Sequence, residues 1–66
     1  MQLNKLKGKI REKGQTYKTC ANALGITTQA FEGKINGRTR FFVLDAETLG
    51  NFLGMTDEEK IDIFLN

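Results

Sequence analysis

Thr27, Thr28, Gln29 and Glu32 stand close together, and Asn36, Arg38 and Arg40 follow within two turns of chain. These residue types suit recognition of a polyanion better than the breaking of bonds. A Gln amide holds a donor and an acceptor side by side, which matches the N6/N7 edge of adenine, and Thr can reach a base edge or a thymine methyl. Glu32 can accept from cytosine, orient a nearby Arg, or repel a wrong register. Guanidinium groups such as those of Arg38 and Arg40 grip phosphate, and an Arg in a loop can enter a narrow minor groove.

An enzyme is not expected. The chain has no His, one Cys and no glycine-rich phosphate cradle, so a general base and a nucleophile are hard to assemble. Glu12 and Glu32 do not form a carboxylate pair at helical spacing. One Cys and no His exclude an internal disulfide and a Cys/His zinc cluster, and no cofactor or metal is expected. Cys20 falls on an apolar helical face, where a free thiol acts as a small hydrophobe. A lone reduced Cys suits the cytoplasm. The longest apolar run, Phe41 to Leu44, is far too short to span a membrane.

The stretch from Thr16 to Gly37 must position the reading residues, and it predicts two short helices joined by a tight turn. Tyr17, Cys20, Ala21 and Leu24 recur at i, i+3, i+4, i+7 and share one face. Thr16 caps the start of the first helix, and Gly25 supplies a left-handed residue at its end. Ile26 plugs the turn. Thr27 caps the second helix, predicted over Thr28 to Ile35, whose buried stripe is Phe31 and Ile35. Asn36-Gly37 is a stop signal. Two helices joined by so short a turn cross steeply, which requires a small residue such as Ala21 at the crossing.

At Ala21, Gly25, Ile26 and Phe31 the sequence resembles the helix-turn-helix of small phage repressors of the Cro and CI type, and Lys34-Ile35-Asn36-Gly37 is similar to the phage branch of that family. The resemblance covers the motif well and the flanking helices loosely. It implies a lambda-repressor-like bundle whose third helix enters the major groove of an operator, in the cytoplasm of a bacterial host. It also implies DNA contacts from Thr16, Tyr17 and Lys18 at the second helix, from Thr27, Thr28, Gln29 and Glu32 at the third, and from Asn36, Arg38 and Arg40 after it. Tyr17 stands where the family often has a phosphate-binding Gln; its ring packing beside Leu24 is an equal alternative. Two departures stand out. Lys34 replaces the family's usual apolar residue, and Gly33 replaces a side chain that often contacts a base. Gly33 also weakens its helix by about 1 kcal/mol relative to Ala.

The remaining chain predicts three more helices, giving an all-α bundle of about five in one domain, residues 1–66. Residues 3–13 carry an apolar stripe of Leu3, Leu6 and Ile10, with five basic residues off it. Residues 43–53 carry Ala46, Leu49 and Leu53, flanked by Phe42 or Phe52, with Asp45 as a candidate N-cap. Thr56-Asp57-Glu58-Glu59 is a capping box that opens the last helix, whose stripe reads Ile61, Phe64 and Leu65, with Ile63 off it. Such an apolar terminus either completes a thin core or forms a dimer seam, and both are expected together.

Net charge is +2, but residues 1–40 hold nine Lys/Arg against two acids, and residues 41–66 hold six acids against Lys60. A basic half containing the two-helix motif is the footprint of a polyanion binder, and the acidic half is expected to point away. The leading expectation is a homodimeric, sequence-specific repressor of duplex DNA. The alternative is a protein-interaction module that acts on another phage regulator through its acidic face and the Ile61–Leu65 surface. RNA binding ranks third, because the five Phe residues fall mostly at core spacing.

Overall fold

The computed structural model describes all residues, 1–66. It is all-helical: α1 (Leu3–Glu12), α2 (Tyr17–Leu24), α3 (Thr28–Ile35), α4 (Val43–Phe52) and α5 (Asp57–Phe64). No helix is long and apolar enough to cross a membrane. The boundaries fall within a residue or two of those read from the periodicity. Local chemistry accounts for this. Thr16 Oγ1 accepts the Thr19 N–H, Thr27 Oγ1 accepts the Ala30 N–H, and Thr56 Oγ1 accepts the Glu59 N–H, so three of five helix starts are capped by threonine. Gly25 ends α2 with φ at +71°, and its N–H and that of Ile26 close back onto Asn22 and Ala21.

Ten apolar residues form a single core: Leu6 and Ile10 from α1, Cys20 and Ala21 from α2, Phe31 and Ile35 from α3, Leu49 and Leu53 with Met55 from α4 and its exit, and Ile63 from α5. Helix α2 packs on both α3 and α4, while α1 touches α3 and α5. Ala21 is fully buried, as a close crossing requires. Aromatic rings continue the core: Tyr17 on Phe31, Phe31 on Phe41, and Phe41 on Phe64, with centroids 5.6, 6.0 and 6.1 Å apart. Tilted and edge-on pairs of this kind suit the ring quadrupoles. Burial pushes the Cys20 thiol pKa up, which keeps it protonated and unreactive.

Two expectations are corrected. In α5, Ile63 is the core residue, whereas Ile61 is 52% and Leu65 76% exposed. The inward face is Lys60, Ile63 and Phe64; the Lys60 stem lies across Gly50, and the Ile63 carbonyl accepts the Gln2 N–H at 2.8 Å. Ile61 and Leu65, four apart, form a second apolar face that periodicity alone cannot rank against the first. In α4, Asp45 is not the N-cap. Phe42 occupies that position, and Asp45, three residues on, reaches back to accept the Phe42 N–H at 3.0 Å.

Candidate nucleic-acid interface

The turn between α2 and α3 spans only Gly25, Ile26 and Thr27. Half-buried Ile26 packs on the core and fixes how α3 leaves the turn. With Phe31 and Ile35 fully buried, the opposite side of α3 presents exposed Gln29 and Asn36, with Thr28 and Glu32 half-buried at its edge. Thr27 is exposed, but its hydroxyl is already engaged as the α3 cap. Thr16 is likewise occupied as the α2 cap. Lys18 is exposed beside it. The Tyr17 ring settles half-buried against Phe31.

After α3 the chain folds back over it. The Arg38 and Thr39 N–H groups both donate to the Gly33 carbonyl, at 2.8 and 3.2 Å. This buries Gly33 under Thr39, so the position where the resemblance implies a base-contacting side chain is covered by the loop. The same fold-back brings Arg38 and Arg40, both exposed, beside Gln29. The three share a shallow depression of about 500 Å³ with Gly33, Lys34 and Thr39. Sequence reasoning had Gln29, Arg38 and Arg40 as candidates, and the fold joins them. Thr16 and Lys18 lie outside this depression, as do Glu32 and Asn36.

Charge is distributed differently from the expectation of a basic half and an averted acidic half. Lys5 pairs with Asp62 at 2.9 Å, Lys9 with Glu59 and Glu12 at 2.5 and 3.0 Å, and Lys34 with Asp45 at 3.1 Å. Acids from α4 and α5 therefore neutralise part of the N-terminal charge, because α1 packs on α5 and the loop after α3 returns the start of α4 to Lys34. The cations left without an ion pair are Lys7, Arg11, Lys18, Arg38 and Arg40, with Lys13 only loosely placed at 4.0 Å from Glu12. Two of these line the depression.

Sequence reasoning found only one side of a second surface: it had Ile61 and Leu65 on α5 but not the residues that face them at the start of α4. Phe42, Val43 and Leu44 are 68, 88 and 74% exposed. Phe42 and Val43, with Ala46, Ile61, Phe64 and Leu65, line a groove of about 400 Å³ between the start of α4 and α5. An apolar tetrapeptide, Phe41 to Leu44, was visible in the chain, but only its first ring turns inward. No family model, curated protein or solved structure matches the chain.

Proposed function

We propose that the chain is a sequence-specific regulator of transcription that binds duplex DNA, a repressor of the phage Cro/CI kind. In this reading α3 enters the operator major groove with its N-terminal residues leading, as helix-turn-helix proteins dock. The observation that carries it is the union of Gln29 with Arg38 and Arg40 in one depression, on a helix fixed by a three-residue turn. Gln29 reads a base edge while the two arginines hold phosphate, so positioning and specificity arise from one surface. Lys18 adds a phosphate contact from α2. The acting species on DNA is a homodimer, and the groove between α4 and α5 supplies the apolar seam that such a pair covers.

The test is a protection experiment with duplexes from the chain's own genomic neighbourhood. A protected site with two half-sites about one helical turn apart supports the proposal. Absence of protection at any concentration that retains folded protein overturns it. The second reading, a protein-interaction module that binds another phage regulator, draws on the exposed Phe42–Leu44 run and on Ile61 and Leu65. That reading gains if the chain shifts a repressor's mobility and leaves DNA untouched.

A further inference from the structure

We propose that Lys34 is a positioning residue for phosphate contact: it holds the loop that carries Arg38 and Arg40 in one conformation without touching DNA itself. The proposal rests on the DNA-binding reading above. Lys34 lies in the last turn of α3, with its side chain only 12% exposed. Its Nζ donates to the Arg40 carbonyl at 2.8 Å and pairs with Asp45 Oδ2 at 3.1 Å. It also stands 4.9 Å from the centroid of the Phe42 ring. An ammonium has three donors and no acceptor; a carbonyl and a carboxylate take two of them, and the Phe42 ring face lies within cation–π range of the charge. The group is committed to these partners rather than turned out toward a phosphate.

The acceptors are not independent. The same Asp45 Oδ2 takes the Phe42 N–H, so one carboxylate joins Lys34 to the first turn of α4. At its other end the loop is fastened to the neighbouring residue, because the Gly33 carbonyl accepts the Arg38 and Thr39 N–H groups. Gly33 and Lys34 thus clamp both ends of the segment between α3 and α4. Two arginines on a fixed backbone lose less freedom on binding than two on a loose one.

The test compares Lys34→Met, Lys34→Arg and Asp45→Asn with wild type, each checked by thermal melt. Readouts are amide exchange of residues 38–42 in the free protein and titration of operator and scrambled duplex over a range of salt. Lys34→Met is expected to speed exchange in the loop and to weaken both duplexes alike, by about tenfold if each arginine forfeits part of its ordering advantage. The salt slope should stay at the wild-type value, because no phosphate contact is deleted. Lys34→Arg, which keeps the cation and its donors, should restore most of the affinity. Asp45→Asn retains an acceptor for the Phe42 N–H and should reproduce part of the loss; it carries the same test if the Met variant does not fold. Unchanged affinity in Lys34→Met overturns the proposal, as does failure of Lys34→Arg to restore binding. A slope reduced by about 0.9 would make Lys34 a phosphate ligand and also overturn it. If wild type binds no duplex, the DNA reading falls and takes the proposal with it. If wild type binds and loop exchange in Lys34→Met is unchanged, the clamp alone falls.

Discussion

At the scale of single residues, Gln29 and Gly33 separate reading from folding. The Gln29 side chain is exposed and makes no hydrogen bond within the fold, so Gln29→Ala should leave stability within about 0.5 kcal/mol. In the DNA-binding reading it should cost about 1–3 kcal/mol on the operator while sparing scrambled duplex. A titration of both duplexes at one salt concentration checks this; an unchanged affinity ratio removes Gln29 from the reading face. Gly33 is helical, and a Cβ added there would lie 3.6 Å from Thr39 Oγ1, an ordinary contact. Gly33→Ala should therefore stabilise the protein by up to about 1 kcal/mol through helix propensity. A thermal melt that falls instead would mean the loop sits closer to α3 than the hydrogen bonds indicate. The candidates Gln29, Arg38 and Arg40 were legible from residue type and position. The burial of Gly33 was not, because the loop that covers it returns from five and six residues further along.

At the scale of elements, the helices were legible where caps and stripes agree: Thr16 with Gly25, Thr27 with Phe31 and Ile35, and the Thr56 box. What the chain alone left open was which of two apolar faces α5 turns inward. That choice is made by partners distant in sequence, Gly50 under the Lys60 stem and Gln2 on the Ile63 carbonyl. The docking of α5 on α1 also has an acid-sensitive tie. Glu59 accepts from Lys9 and from the Thr56 N–H, and these hold its carboxyl at about 2, below the ordinary 4.5. A depressed folded pKa contributes stability above the unfolded value that is lost as pH falls from about 4.5 toward 2. Lys9 is shifted upward, first by Glu59 and then by Glu12, so its share is present below its unfolded pKa of 10.5 and is lost in strong alkali. Glu59→Gln keeps an acceptor for Thr56 and should reduce the drop in melting temperature between pH 5 and pH 2. Parallel acid profiles for the variant and wild type would show that this tie does not govern α5 docking.

At the scale of the whole molecule, two surfaces oppose two kinds of partner: a depression with two unpaired arginines, and an apolar groove between α4 and α5. If the groove is the dimer seam, Val43→Asp should break it. Val43 is 88% exposed at the first position of α4, where an acid is favoured by the helix dipole, so the fold should survive. The variant should bind the operator one chain at a time and more weakly, whereas wild type should bind as two. Identical stoichiometry and cooperativity in the two proteins would place the dimer contact elsewhere. The central claim, that this is a duplex-DNA binder, is tested most directly by the salt dependence of wild-type affinity beside that of Arg38→Ala. The account predicts a steep fall in wild-type affinity, with a log–log slope of about −0.9 for each phosphate neutralised, and a slope shallower by about one contact in Arg38→Ala on every sequence. Equal slopes for the two proteins would remove Arg38 from the phosphate contacts, and affinity for duplex DNA that is the same at low and high salt would contradict the claim.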